Sequence, residues 1–120
     1  MIKNIEYKIL SAVLTIIIVA LAIVAFSPKG HTPILYNSAT LDFANTAAGT
    51  ATDLTVSVTG ATDGDAVLVG IPNGSTVANG HFVGWVSSSG TVTVRFLNNN
   101  LLAALNPPSG VFEVIVFKKK

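Results

Sequence analysis

The feature that most constrains this chain is an apolar run of eighteen residues without a charged side chain, at positions 9–26. Ser11 and Thr15 are its polar residues. A helix over this run would be about 27 Å long, close to the roughly 30 Å hydrocarbon core of a bilayer. Because a helix that is apolar on every face must be buried in a membrane or in a large apolar core, we expect a membrane-anchor helix over residues 1–27.

Twelve large apolar side chains supply the predicted membrane contact. Near the centre of a bilayer each contributes about −0.3 to −0.6 kcal/mol to insertion, so the set contributes on the order of −4 to −7 kcal/mol. Ser27-Pro28 ends the predicted helix, because proline disfavours the helical conformation in the residue before it. The twelve predicted anchor residues are Ile9, Leu10, Val13, Leu14, Ile16, Ile17, Ile18, Val19, Leu21, Ile23, Val24 and Phe26.

Other interpretations of the apolar run stay open. A cleaved signal peptide would have a small-x-small site, which residues 20–22 match, although the run continues past them. Alternatively, the helix lies in the apolar core of an oligomer. Lys3 and Lys8 precede the run and favour a single-pass topology with the N-terminus inside and the β domain outside, whereas Lys29 and the C-terminal lysines weaken this bias.

The remainder of the chain predicts a small all-β domain. Residues 28–33 contain two prolines and a glycine and form the predicted linker. Beyond it, short segments that alternate apolar and polar side chains are separated by turn residues. We expect a small antiparallel β-sandwich or jelly-roll-like domain over 34–117, followed by a basic tail at 118–120. The predicted strands cover 34–36, 40–43, 53–59, 65–69, 81–87, 91–97 and 111–117, with one helical turn at 98–105.

The last predicted strand, 111–117, is nearly continuous in apolar side chains, and only Glu113 interrupts it. Such a strand is usually covered on both faces, here by the second sheet or by a neighbouring subunit. Phe112, Ile115 and Phe117 are therefore candidate interface residues. Because a body of roughly 84 residues without disulfides has only a small core, we also expect it to form a homo-oligomer.

Two further side chains of the body are interface candidates. Trp85 belongs either to the core, which we favour for a lone tryptophan in a sandwich, or to an interface, where tryptophan is enriched at hot spots. Arg95 is the only basic residue between 34 and 117. We expect it to pair with an acid across the sheet, the alternative being recognition of an anionic ligand. Because Arg95 stands against five acids, the region has a net charge of −4, and we expect no nucleic-acid partner.

No motif in the sequence points to catalysis. The chain lacks cysteine, a G-x-S-x-G elbow and the glycine-rich phosphate-binding motifs. His31 falls in the linker and His81 at a strand start, where ordinary surface roles are favoured. Asp63-Gly64-Asp65 has the D-x-D spacing of calcium loops, but the other oxygen ligands of such loops are missing, so a polar turn is favoured. We expect neither an enzyme nor a cofactor or bound metal.

A series of short stretches between 36 and 117 supports a resemblance to a known domain. They are Ala39-Thr40-Leu41-Asp42-Phe43, Asp53-Leu54-Thr55-Val56 with Thr59-Gly60-Ala61, Gly64-Asp65 with Gly70-Ile71-Pro72, Phe82 with Trp85-Val86-Ser87, Thr91-Val92-Thr93-Val94-Arg95-Phe96 with Asn98, and Asn106-Pro107-Pro108-Ser109-Gly110-Val111-Phe112. In order and spacing they resemble a small domain of bacteriophage virion structural proteins, found in tail and appendage components. The resemblance implies a β-sandwich that assembles into oligomers and has no catalytic residues.

The apolar run and the resemblance together give three functional hypotheses. Because ordinary tailed virions have no membrane, the first is a membrane-anchored virion component (capsid-associated, vertex or spike protein) of a membrane-containing bacteriophage, with lipid and other capsid proteins as partners. The second is a filament subunit, because an apolar helix followed by a β domain resembles type IV pilins, with Glu6 near the position of their early glutamate. The third is a membrane-anchored cell-surface module that binds a ligand through its loops.

Overall fold

The computed structural model describes residues 30–120 together with Glu6, Lys8 and Ser11. Apart from Ser11, the run at 9–26 that predicts the anchor lies outside the described residues. The twelve predicted anchor residues are therefore all outside the part of the chain that the structure describes. Within the described part of the chain no helix has the length and apolarity needed to cross a bilayer. The fold below is that of Thr32–Lys120, which forms a compact unit of its own.

Six antiparallel strands of this unit form two three-stranded sheets. The strand order is β1-β6-β3 in one sheet and β2-β5-β4 in the other. The all-β, sandwich-like prediction is thereby confirmed, whereas the eight strands of a jelly roll are not formed by the described residues. The strands are β1 (Ile34–Leu41), β2 (Ala51–Ser57), β3 (Ala66–Gly70), β4 (Gly80–Ser88), β5 (Thr91–Asn98) and β6 (Gly110–Phe117), with a short 3₁₀ turn at Asn73–Ser75.

The predicted strands 34–36 and 40–43 are in fact one strand, β1. The polar pair Asn37 and Ser38, which suggested a break, continues the ladder opposite Val114 and Glu113 of β6. The Asn37 amide also donates to the Ser57 carbonyl of the other sheet. A polar dipeptide therefore did not end the strand, because its backbone groups are paired and its side chains have partners or face water.

The helical turn predicted at 98–105 is wrong, since this segment is an irregular loop. Its backbone is organised by the side chain of Asn98 instead of by helical hydrogen bonds. The Asn98 amide nitrogen lies 2.9 Å from both the Thr46 and the Ala103 carbonyl oxygens. Its oxygen accepts a 2.8 Å hydrogen bond from the Asn100 backbone nitrogen. Such bonds from asparagine to the local backbone compete with helix formation.

The core lies between the two sheets and combines small aliphatic and aromatic side chains. Strand residues point alternately to the two faces of a sheet, so alternate positions of β5 and β6 are fully buried. Four phenylalanines pack together with ring centroids 5.1–6.1 Å apart, close to the range typical of favourable aromatic pairs. They are Phe43, Phe82, Phe96 and Phe112.

Gly84 lets the two sheets approach each other where β4 of one passes β3 of the other. A Cβ atom at this position would lie only 2.5 Å from Cγ2 of Val69 and 3.3 Å from Cγ1 of Val67. The inner face of β4 therefore requires glycine at position 84. The close packing of β4 against β3 depends on this glycine.

The antiparallel order places the chain connections at two opposite ends of the sandwich. The entry end holds the start of β1, the end of β6, and the turns at 58–65 and 89–90. The distal end holds the connections at 42–50, 71–79 and 99–109. These two names are used below.

Candidate functional site

A contiguous apolar surface lies on the outer side of the sheet β1-β6-β3. Phe112, Val114 and Val116 of β6 point into the core, so the residues between them point outwards. The strand register aligns the outward side chains in two adjacent rows, at the end of the sheet nearest the entry end. We call this surface the apolar face, and its residues are Ile34, Phe117 and Ala66 in the first row and Tyr36, Ile115 and Leu68 in the second.

The large side chains of the apolar face are substantially exposed to solvent. The exposed fraction is 62% for Ile34, 58% for Tyr36, 55% for Leu68 and 41% for Phe117. An antiparallel sheet with one solvated face ordinarily has polar residues on that face. A contiguous exposed apolar area instead marks a site of protein or membrane interaction.

The apolar face ends at Glu113, which lies in the next row along β6. The Tyr36 hydroxyl donates a long, 3.4 Å hydrogen bond to its carboxylate. Beyond Glu113 lies a shallow depression of about 290 Å³, lined by Gly70, Ile71, Pro72 and Val111 in addition to Glu113 itself. A single negative charge therefore separates the two apolar rows from this depression.

The five predicted interface residues are found in three different places. Ile115 and Phe117 belong to the apolar face. Phe112 is fully buried in the core, so it has no surface to offer a partner. Trp85 is 37% exposed and lies on the outer side of the other sheet. The core role that we favoured for Trp85 is therefore wrong: Val86 points inwards, so the alternation of β4 directs Trp85 outwards.

Arg95 on β5 forms the predicted ion pair, and its partner is Asp53 on the neighbouring strand β2 of the same sheet. Its Nε and a terminal nitrogen donate to the two carboxylate oxygens of Asp53 at 2.7 and 2.8 Å, and its guanidinium lies 4.9 Å from the Trp85 ring centroid. The hydrogen bond from Arg95 lowers the pKa of the Asp53 carboxyl, and the same bond raises that of Arg95. The guanidinium is thus engaged by the Asp53 carboxylate and by the face of the Trp85 ring.

Asp65 organises the turn at 62–65, in agreement with the polar-turn prediction. One oxygen of its buried carboxylate accepts from the Thr62 nitrogen at 2.9 Å and from Lys118 Nζ at 2.7 Å. The other accepts from the Lys119 nitrogen at 2.9 Å. The hydrogen bond from Lys118, followed by that from Lys119, holds the pKa of Asp65 well below its ordinary value of 3.8.

This turn contains an interaction that the sequence did not suggest. Lys118 and Lys119 were assigned to a separate basic tail, yet both bind the turn, and the Lys118 backbone nitrogen also donates to the Pro33 carbonyl at 3.3 Å. The pairing joins residues more than fifty positions apart. Only the complementary charges of the Asp-Gly-Asp turn and the C-terminal lysines could have indicated it.

The remaining polar candidates are His31 and His81, and both are exposed. His81 is exposed at the start of β4, and its Nδ1 lies 2.9 Å from the amide nitrogen of Asn99, which is the surface role expected for it. Among residues 30–120 and the three described N-terminal positions, no group of three or more metal-ligating side chains is placed to hold a metal ion.

Comparison with known proteins yields no relative: no family model, no curated protein and no solved structure matches this chain. The function must therefore be inferred from its own residues. The apolar face is the surface whose chemistry departs most from that of an ordinary solvated sheet.

Proposed function

We propose that this protein is a non-enzymatic assembly subunit, anchored in a membrane by the apolar run at 9–26 and associating with further copies through the apolar face. The observation that supports this proposal is the pair of charge-free rows on an exposed sheet surface. The resemblance of residues 36–117 to virion domains narrows it to a capsid-associated, vertex or spike protein of a membrane-containing bacteriophage.

The free energy gained when two copies cover their apolar faces is modest, and it favours pairing of copies that share a membrane. Four of its large side chains are about half exposed. Because complete burial of such a side chain stabilises by about 1.5–3 kcal/mol, covering the exposed half contributes about 1 kcal/mol each, or about 8 kcal/mol for two copies. Association costs about 4–15 kcal/mol in lost freedom of motion, so pairing of free bodies would be nearly balanced.

Membrane anchoring shifts this balance towards pairing. Tethered partners meet at an effective concentration that reaches about the millimolar range. The six residues of the predicted linker at 28–33 can span no more than about 20 Å. Copies anchored in one bilayer are therefore confined to a thin layer beside it, where their apolar faces can meet.

A face-to-face pair on one membrane has a defined symmetry. In a pair whose two entry ends point the same way, the two-fold axis runs parallel to the strands and each row of the apolar face meets its own equivalent. Packed sheets lie about 10 Å apart and cross at about 30°. The central strand β6 would then bring Glu113 near Glu113 of the second copy, which limits the contact to the two rows of the apolar face.

Chemical cross-linking of the full chain in liposomes tests this assembly. The natural sequence has no cysteine, so a single introduced thiol reports one position. A sheet spacing of about 10 Å is too large for a direct disulfide, and a short bifunctional thiol reagent is needed. Ile115→Cys should give a covalent dimer, whereas Val83→Cys, exposed on the opposite sheet, should not.

Two results would refute different parts of the proposal. If the full chain fails to float with liposomes, the membrane anchor is wrong. If it floats but Ile115→Cys gives no more dimer than Val83→Cys, the apolar face is not the contact between copies. The virion setting has its own test, which is whether the protein copurifies with lipid-containing particles and leaves them on delipidation.

A further inference from the structure

The connection between β3 and β4 contains two Asn-Gly dipeptides in different surroundings. Asn73-Gly74 begins the short 3₁₀ turn, and Asn79-Gly80 lies where the connection enters β4. Both asparagines are exposed. An asparagine followed by glycine is prone to modify itself, because the glycine nitrogen attacks the asparagine side-chain amide without hindrance from a side chain of its own. Which of the two pairs reacts therefore depends on what holds the glycine nitrogen.

The Asn79-Gly80 pair is fixed by its backbone. The Gly80 nitrogen donates a 3.1 Å hydrogen bond to the Val77 carbonyl. The Asn79 carbonyl accepts a 2.9 Å hydrogen bond from the Asn99 nitrogen. Gly80 is also the first residue of β4, and a Cβ there would lie 2.6 Å from the Phe96 ring. The nitrogen that would attack is therefore already bonded, and the peptide group has little room to rotate.

The Asn73-Gly74 pair lacks these restraints. Within residues 30–120 the Gly74 nitrogen donates no hydrogen bond, and a Cβ on Gly74 would meet nothing within 4 Å. The Asn73 side chain faces solvent. Both groups that must combine are therefore accessible.

The peptide group between Asn73 and Gly74 must rotate for the two groups to meet, so the 3₁₀ turn has to open. The Ser75 nitrogen donates to the Pro72 carbonyl at 2.9 Å. The nitrogen and the hydroxyl of Thr76 donate to the Asn73 carbonyl at 3.2 and 2.7 Å. Hydrogen bonds in a 3₁₀ turn have poor geometry, and a short exposed segment opens at a low cost in free energy. The turn therefore delays the reaction without preventing it.

We propose that Asn73 is a self-modification site of this protein and that Asn79 is not. The Gly74 nitrogen loses its proton and forms a bond to the side-chain amide carbon of Asn73. That carbon expels its amide nitrogen as ammonia, which closes a succinimide ring. Water then opens the ring at either carbonyl and leaves an aspartate or an isoaspartate. The co-reactant is water, and no oxidant, reductant or cofactor takes part.

The product changes both the charge and the backbone of the distal end. Its three connections contain one ionisable side chain, Asp42, so a carboxylate at position 73 adds a second. Isoaspartate also routes the main chain through the former side chain, so the carbonyl that Thr76 binds leaves the main chain. Ser75 follows directly and is fully buried, and a Cβ on Gly110 would lie 2.5 Å from its hydroxyl. The modification therefore loosens the contact between the turn and the start of β6.

This inference goes beyond the proposed function and involves neither the anchor nor the apolar face. Tandem mass spectrometry of the full chain, incubated in detergent at neutral pH, measures the conversion of each asparagine. We expect Asn73 to convert at least about tenfold faster than Asn79, because the backbone nitrogen of Gly80 is hydrogen-bonded. Gly74→Ala should slow the conversion of Asn73 by about tenfold or more, because the added methyl group hinders the attack.

The same measurement in urea separates the effect of the fold from that of the sequence. Unfolding releases both dipeptides, so Asn73 and Asn79 should then convert at similar rates. The inference is overturned if the two convert equally in the folded protein, if the difference persists in urea, or if Gly74→Ala leaves the rate at Asn73 unchanged. A chain that fails to float with liposomes would refute the anchor and leave this inference intact.

Discussion

Replacing Asn98 by alanine is expected to weaken the distal end of the sandwich more than any other change of a polar residue there. The Asn98 side chain is almost completely buried at the end of β5. Its amide nitrogen donates to the carbonyls of Thr46, Ala47 and Ala103, and its oxygen accepts from the Asn100 nitrogen. Alanine removes all four bonds and leaves a small void.

The size of the effect follows from these bonds. Each buried hydrogen bond contributes about 0.5–1.5 kcal/mol net, so Asn98→Ala should lower the free energy of unfolding by about 2–4 kcal/mol. Small domains have a total of about 5–15 kcal/mol, so the loss would be a large fraction of the total. Hydrogen exchange at the amides of Leu102 and Ala103 should also speed up, because the connection at 99–109 loses its link to Asn98.

Urea unfolding of the full chain in detergent, followed by Trp85 fluorescence, measures this loss. The matched control is Asn99→Ala, since Asn99 is exposed and its amide contacts only the exposed His81 ring among the hydrogen bonds described above. That control should change stability by less than about 0.5 kcal/mol. A loss below about 1 kcal/mol for Asn98→Ala, or an equal loss for both variants, would refute the assigned role.

Three further predictions concern the core and the entry end. Gly84→Ala should destabilise the fold by about 1–3 kcal/mol, because its Cβ would lie 2.5 Å from a Val69 methyl group. The control Gly74→Ala should leave the stability unchanged, because a Cβ there meets nothing within 4 Å. Thermal unfolding compares the two variants. Phe112→Ala should cost about 3–5 kcal/mol in the same denaturation assay, and a loss under 1 kcal/mol would exclude Phe112 from the core. Because the folded-state pKa of Asp65 is lowered, the ionised carboxylate makes its full contribution to the free energy of unfolding above the ordinary pKa of 3.8, and this contribution is lost as the pH falls below that value. In a series of unfolding experiments at different pH values, Asp65→Asn should lack this loss of stability in acid. An unchanged pH profile would contradict the role.

The strands were predictable where the alternation of side chains is regular and the turns are short. In β2 and β5, Leu54 and Val56 alternate with polar residues, as do Val92 and Val94, and both segments are strands. The same alternation, applied to β4, would have placed Trp85 on the surface. The expectation that a lone tryptophan belongs in the core overrode this signal.

Other features that sequence reasoning missed depend on contacts between distant positions. Asn37 and Ser38 look like a break until their partners on β6, more than seventy residues away, are known. The pairing of Asp65 with Lys118 joins positions 53 residues apart. The apolar face was predicted only in part. The apolar pattern of 111–117 indicated that this strand is covered on both faces. The residues that β1 and β3 add to the face could not be predicted without the strand order.

The number of copies in each bilayer complex tests the central claim most directly. Full-length protein with one fluorophore per chain, reconstituted at low density in supported bilayers, would be counted by single-molecule photobleaching. We predict mainly two bleaching steps for the parent and for Val83→Lys, and one step for Leu68→Lys, which places a charge in the apolar face. Single steps for the parent protein, or two steps for Leu68→Lys, would contradict assembly through this face.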